Sequence, residues 1–382
     1  MDVLLLAGTR PEAIKIAPVA LAIAERTAQT GIRPVIIHSG QHRDVVEQAL
    51  LPFGLRPDEW LAVRRVTGSQ PELLAGLLPA LDEVLVRTAP AAVVVQGDTS
   101  TTLAGALAAF WRSIPVVHLE AGLRTGDLTA PFPEEGNRQL VSRIASLHLA
   151  PTQSAADALR VEALPRPEIV VTGNTVVDAA RHMADLNRPA ADPNVTAAEA
   201  DHRRLVLVTV HRRESWGAPL DRILAAVRRI VEHHPDVLVL LPAHPNPTVR
   251  AQVAAALRNR VLITDPLTYP DLIRILSRSA LVLTDSGGLQ EEAPTFGVPV
   301  LILRDTTERR EAVDAGRAWL VGTNPHRIAQ QATRLLASRP TWPPDDNPYG
   351  DGKAAARVRD AVEAFILAPS TPRPRQDEPR AP

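Results

Sequence analysis

Two short segments set a carboxylate directly behind an apolar run that suits a buried strand, and a third brings acids to the start of a helix. "VVVQGDTSTT" ends its run at Asp98, "VVHLEAGLRTGD" delivers Glu120, and "APFPEEGNRQL" carries Glu134 and Glu135, with Arg138 one turn on. Taken singly, Asp98 is either the N-cap of a helix begun by Thr99 or a working carboxylate. Acids at a helix start are ordinarily dipole partners. Gathered at one sheet edge they do more: like charges held close raise at least one pKa, making an acid and a base from similar side chains.

Cationic and phosphate-binding candidates accompany them. In "AGTRPEAIK", Gly8 permits a tight turn, Pro11 suits the first helical position, and Arg10 adds charge at a helix N-terminus that already attracts anions. "LVTVHRRESWG" places His211 and Arg212 at another strand end. His244 in "LPAHPNPTVR" has a similar place, but Asn246 and the prolines read equally as turn chemistry. His233 and His234 end a predicted helix and read as a favourable C-terminal cation or a solvated turn. In "LVLTDSGGLQEEAPTFGVPVLIL", Ser286, Gly287 and Gly288 present a hydroxyl and N–H groups to a phosphate, and glycine allows the close approach that a side chain would block. A carboxylate a turn later, on the helix carrying Glu291 and Glu292, can accept hydrogen bonds from a ribose. That set fits a nucleoside diphosphate; the alternative is a capped helix with a solvated acidic face.

Positioning these groups requires alternating strands and helices. Expected strands cover residues 3–6, 34–38, 92–96, 115–119, 147–150 and 169–171, then 205–209, 237–241, 261–264, 280–284, 298–303 and 318–321. Continuous apolar strands separated by helices predict an α/β chain with two doubly wound parallel sheets. The expected division is an N-terminal domain over 1–172, completed by a helix at 353–367, and a C-terminal domain over 173–352. The Pro-rich, polar stretch 368–382 reads as a disordered tail. Ligands of open α/β sheets bind outside the carboxyl ends of the strands, so two such sheets facing each other enclose a cleft.

Composition bounds the chemistry. The 382 residues suit two domains, and a formal net charge of -1 argues against a general nucleic-acid or membrane-surface binder. With no cysteine, disulfides and thiolate chemistry are excluded. The N-terminus lacks a basic n-region and no apolar run approaches the roughly 18–20 residues of a span, so a cytoplasmic protein without membrane partners is expected. There is no G-x-G-x-x-G after the first strand, no Walker A loop and no H-E-x-x-H, so the expected site works with carboxylates, histidine and arginine, without cofactor or metal. Among 42 Lys and Arg residues only Lys15 and Lys353 are lysines. A lysine that survives such a bias is either needed as a compact charge or kept by chance.

The ordered motifs "GTRPEAIKIAPV", "SGQH", "GDTSTT", "HLEAGLRTGD", "PFPEEGNR", "VTGNTVVDA", "HRRES", "TDSGGLQEEAP", "RDTTER" and "NPYGDG" run over nearly the whole chain. Together they resemble the non-hydrolysing UDP-N-acetylglucosamine 2-epimerases, whose fold is B-type glycosyltransferase-like. The resemblance implies reversible inversion at C2 of UDP-GlcNAc to UDP-ManNAc, by elimination of UDP to a 2-acetamidoglucal and its re-addition. It assigns Asp98, Glu120, Glu134 and His211 to catalysis. Arg10, Ser286, Gly287 and Glu292 fall to UDP, beside Gly288 of the same turn from the reading above, Lys15 and Arg138 to other charged positions, and a homodimer is implied. Gln41 and His42 match a motif with which bacterial members bind a second, activating UDP-GlcNAc, although the following loop "RRVTGSQPE" departs from the family pattern. Gln96 stands where the family commonly has histidine, and Arg310 where it commonly has proline. Two related activities stay open, a hydrolysing epimerase that releases UDP and ManNAc and a B-type glycosyltransferase, together with a catalytically silent UDP-sugar sensor.

Overall fold

The computed structural model describes residues 1–368 except 42, 64, 163, 165–167, 339, 344 and 345. His42 and residues 369–382 of the expected tail therefore lie outside the described residues. The first sheet holds β1 (Asp2–Ala7), β2 (Arg33–His38), β3 (Glu59–Trp60), β4 (Ala92–Gln96), β5 (Val116–Leu119), β6 (Leu147–Ala150) and β7 (Ile169–Val171). Their order is β3-β2-β1-β4-β5-β6-β7, every pair parallel. The second sheet holds β8 (Arg204–Thr209), β9 (Val237–Pro242), β10 (Val261–Thr264), β11 (Ser279–Thr284), β12 (Val300–Ile302) and β13 (Ala318–Leu320), in the order β10-β9-β8-β11-β12-β13. Its pairs are parallel too.

This is the expected α/β class of two doubly wound parallel sheets, the B-type glycosyltransferase-like arrangement. Strand β3, only two residues at an edge, lies outside the expected set, and β12 is shorter than the apolar run 298–303. Strands with both faces covered are mainly apolar, as β4 is up to Gln96, and each fully buried Val or Leu contributes about 1.5–3 kcal/mol. The helix Thr175–Asp185 packs on the Arg10–Glu25 helix beside the first sheet and on the Tyr269–Arg278 helix beside the second. One apolar cluster therefore runs from Val3 through Val176 to Leu205. The terminal helix Ala354–Leu367 returns to pack on Arg10–Glu25. No helix among the described residues is long and apolar enough to cross a membrane.

In each sheet the strand order reverses once, between β1 and β4 and between β8 and β11. Chains leave the sheet in opposite directions there, opening a crevice at the carboxyl edge. The turns after β1, β4, β8 and β11 carry Arg10, Asp98, His211 and Ser286, four of the residues singled out by the sequence.

Candidate active site

The turn after β1 is pinned by a carboxylate that the sequence did not single out. Glu12, 1% exposed, accepts from the backbone N–H of Gly8 (2.9 Å) and Thr9 (2.7 Å) and from the hydroxyls of Thr99 (2.6 Å) and Thr102 (3.2 Å). Burial raises its pKa against these four bonds. A Cβ at Gly8 would collide with the hydroxyls of Ser39 and Thr101, so only glycine lets the turn approach the end of β2 and the helix Ser100–Trp111. Gln41 belongs to this region: its Oε1 accepts from Thr101 Oγ1 at 2.8 Å. Arg10 Nη1 donates to the Leu267 carbonyl (3.3 Å), while its buried Nη2 has no hydrogen-bond partner among the described residues. Burial lowers the Arg10 pKa, opposed by Glu292.

The two readings of Asp98 separate cleanly, because Thr99 takes the cap of helix Ser100–Trp111 by accepting from Thr102 N (3.2 Å). Asp98 is thereby released to face Arg138, whose Nε (2.8 Å) and Nη2 (2.6 Å) both reach Oδ2. Burial works against the Arg138 charge, but Asp98 more than offsets it and the pKa rises. Glu120 follows β5 with φ 64, a left-handed conformation that costs a non-glycine residue about 1–3 kcal/mol and marks functional turns. Its carboxylate takes Lys15 Nζ on Oε1 and Gln96 Nε2 on Oε2, with Asn174 Nδ2 at 3.5 Å from Oε1. Burial raises the Glu120 pKa, opposed by Lys15 and reinforced by Glu291. A Cβ on Gly97, beside Asp98, would sit 3.6 Å from Glu120 Oε2, so the Asp98 and Glu120 turns are neighbours. Glu134 starts the helix Glu134–Ile144 that brings Arg138 in, but its own half-buried carboxylate has no partner among the described residues. The acid wired into that turn is Glu135, fully buried, which accepts from Thr125 N (3.0 Å), Gly126 N (3.3 Å) and Arg138 Nη1 (3.3 Å).

On the second sheet Asp285, 0% exposed, fixes the turn after β8: it accepts from His211 N (3.1 Å), Arg212 N (3.0 Å) and Ser215 Oγ (2.8 Å). The His211 ring is 52% exposed, with Nε2 3.8 Å from Asp285 Oδ1. Desolvation lowers its pKa, and Asp285 opposes. Ser286 precedes the short helix Gly287–Glu292. Over it lies Arg309, whose Cζ would stand 2.7 Å from a Cβ on Gly287. The nearest atoms to a Cβ on Gly288 are 3.9 and 4.0 Å away, which leaves that face open. Arg309 is held by Glu291 Oε1 (2.7 Å) and by Glu308. Burial and Glu291 pull its charge in opposite senses, and the pKa ends well above the usual value. Glu308 is pushed down to about 2 by Arg309 and Arg304 despite burial. Glu292 is pushed up to about 7, mainly by burial, against the pull of Arg10.

The sheets meet through these groups. Lys15, on the first-sheet helix, reaches Glu291 Oε2 on the second-sheet helix at 2.9 Å. The structure therefore joins Asp98, Glu120, Lys15 and Arg138 with Glu291 and Arg309 in one charged cluster at the cleft, flanked by Arg10 and Glu292. His244 packs its ring against Trp216, 5.0 Å between centroids, and accepts from Asn246 N. Glu12 and Arg309 carry no assignment in the sequence, although the motif "RDTTER" is a signal for Arg309; Glu291, read there only beside Glu292 as an acid of a ribose-binding helix, instead pairs with Lys15 and Arg309. Such a site can exchange protons through carboxylates while cations and N–H groups receive a diphosphate.

Comparison with known proteins follows the same line. Residues 24–363 match the profile of the UDP-N-acetylglucosamine 2-epimerase family. A Yersinia pestis UDP-N-acetylglucosamine 2-epimerase is 42% identical over 373 residues, covering 95% of this chain and 98% of that protein. The Bacillus subtilis enzyme of the same name is 42% identical over 370 residues, covering 94% of each. Among solved structures, UDP-GlcNAc 2-epimerase from Neisseria meningitidis bound to UDP-GlcNAc is 36% identical, with TM-score 0.84 over 95% of this chain and 99% of that one.

Proposed function

The chain belongs to the UDP-N-acetylglucosamine 2-epimerase family, and from that membership we propose a route for the reversible C2 epimerisation of UDP-GlcNAc to UDP-ManNAc through the residues of this cleft. One carboxylate takes the C2 proton, the C1–O bond to UDP breaks, and a C1–C2 double bond forms, giving the 2-acetamidoglucal and UDP. Return of UDP to C1, with a proton delivered to the other face of C2, completes the inversion with all atoms balanced. The observation that carries this reading is the placement of Asp98 and Glu120 on adjoining turns. Each is held by a buried cation, and Lys15 ties Glu120 to Glu291 on the second-sheet helix that begins with Gly287 and Gly288.

In this account Asp98, with Oδ2 held by Arg138, keeps Oδ1 for proton transfer from one side, and Glu120 and Glu134 serve the other. His211, Arg10 and Arg309 receive charge on the departing diphosphate, Ser286, Gly287 and Gly288 bind a phosphate, and Glu292 takes the ribose hydroxyls. Gln41, beside the β1 turn, is kept as a contact for a second UDP-sugar. We also read the enzyme as a cytoplasmic homodimer of two-domain subunits, as the resemblance implies; sedimentation as a monomer would remove the dimer.

Incubation of the protein with UDP-GlcNAc alone, followed by chromatography, tests the activity. UDP-ManNAc accumulating to a constant ratio, with total nucleotide sugar conserved, is expected. Free UDP rising in step with substrate loss would replace this reading with hydrolysis, and an absolute need for an acceptor would replace it with glycosyl transfer.

A further inference from the structure

Five side chains of alternating charge run through the cleft as one chain: Glu120, Lys15, Glu291, Arg309 and Glu308. All are largely shielded, the most exposed being Arg309 at 14% and the least Glu291 at 1%. Buried ion pairs of this kind seldom stabilise a fold better than apolar packing would, because desolvating each charge offsets the attraction. Their position is informative here. Glu120 and Lys15 belong to the first sheet, Glu291, Arg309 and Glu308 to the second, and the chain crosses between them at Lys15–Glu291, 2.9 Å.

Glu291 touches both assigned halves of the site at once. Through Oε2 it holds the Lys15 ammonium that grips Glu120, and through Oε1 it holds the Arg309 guanidinium that lies over Gly287. Lys15 is thus balanced between a carboxylate of its own domain and one supplied across the cleft. If the sheets part, Glu291 leaves with the second one and Lys15 acts on Glu120 alone.

We infer that Glu291 is a positioning residue for the reaction: by its own charge and by its pairing with Lys15, it sets the charge environment of Glu120, and does so only while the two sheets are closed on each other. This inference rests on the epimerase reading and adds to it a link between closure and chemistry. The groups that bear on Glu120 are Lys15 from the Arg10–Glu25 helix, Gln96 from β4, Asn174 from the turn after β7, Glu291 from the Gly287–Glu292 helix and, further off, Arg309. Of these Glu291 alone is negative, so its removal leaves Glu120 facing uncompensated positive charge and makes it more acidic.

The test compares wild type, Glu291→Gln, Lys15→Met and the double variant, reading C2 proton exchange and epimerisation across pH together with the Kd for UDP. For Glu291→Gln we expect kcat to fall about tenfold and the Kd for UDP to weaken by less than that through the loosened Arg309, and the binding that persists shows that the site is folded. The pH limb that reports Glu120 moves to lower pH. In the Lys15→Met background Glu120 and Glu291 are left as two unpaired carboxylates, so the same substitution relieves their repulsion and the double variant loses less than the product of the two single losses. An unmoved limb, a full additive loss in the double variant, or a Kd for UDP weakened as much as kcat would overturn the inference. Should Glu291→Gln not fold, Glu291→Asp, charged but too short to hold both cations, replaces it, and wild-type kcat there is the overturning result. A wild type that does not epimerise at all strikes the parent reading instead.

Discussion

Arg138 reaches a single oxygen of Asp98 with two nitrogens, Nε at 2.8 Å and Nη2 at 2.6 Å, and leaves Oδ1 of Asp98 without a partner among the described residues. A carboxylate gripped on one side has one oxygen for chemistry and one for orientation. Replacing Arg138 with Met releases that grip. We expect kcat to fall about 10²-fold, with KM and the Kd for UDP changing by less than about threefold. Arg138→Lys recovers little, because an ammonium cannot reproduce the fork. Steady-state kinetics beside calorimetric UDP binding check this split; a loss confined to KM would contradict it.

Gly287 and Gly288 are adjacent but not equivalent. A Cβ at 287 would stand 2.7 Å from the Arg309 guanidinium, whereas at 288 the nearest atom is 3.9 Å away. Gly287→Ala is therefore expected to displace Arg309 and to destabilise the ligand-free protein by about 1–3 kcal/mol. Gly288→Ala leaves that stability unchanged and acts only on UDP. Thermal unfolding with and without UDP separates the two.

Glu12→Ala removes the acceptor of four donors, two of them backbone N–H groups. The expected cost is about 2–4 kcal/mol, read as a lower urea midpoint at unchanged slope. The β1 turn and the Asp98 turn then lose their common anchor, so activity falls as well.

Two groups of buried residues tilt stability with pH in opposite directions. Glu292 has its folded pKa raised from 4.5 to about 7, so its contribution is full below 4.5 and is lost as pH rises through about 7. His118 and His148 are depressed by burial from 6.5 to about 3 and about 4; their contribution is full above 6.5 and is lost as pH falls toward those values. Glu292→Gln is expected to flatten the decline between 4.5 and about 7 while leaving the acid-side loss in place. Unfolding midpoints across pH for wild type and variant check it, and an unchanged profile would contradict the assignment.

How much of this was legible depended on whether a residue acts through its own strand end or through a distant partner. The runs at 92–96, 147–150, 169–171 and 261–264 coincide with β4, β6, β7 and β10, since strands of a covered parallel sheet leave mainly apolar text. Strand β3 had no such text: two residues, Glu59 and Trp60, pair only because β2 passes beside them. Asp98, Glu120, His211 and Ser286 were legible because each follows a buried run at the carboxyl edge. Glu12 and Glu291 were not, because each looks like an ordinary helical acid until Thr99 or Lys15 is brought to it. Glu134 and Glu135 show the limit of reading types: the two are indistinguishable in sequence, and the fold spends Glu135 on its own turn.

The central claim is proton exchange at C2 coupled to reversible departure of UDP, and proton NMR of the protein with UDP-GlcNAc in D2O tests it most directly. We predict growth of C2-deuterated UDP-ManNAc to a steady ratio, with deuterium also entering C2 of the remaining UDP-GlcNAc and little free UDP. UDP-ManNAc that retains its C2 proton would contradict the account, because inversion would then bypass the Asp98 and Glu120 carboxylates altogether.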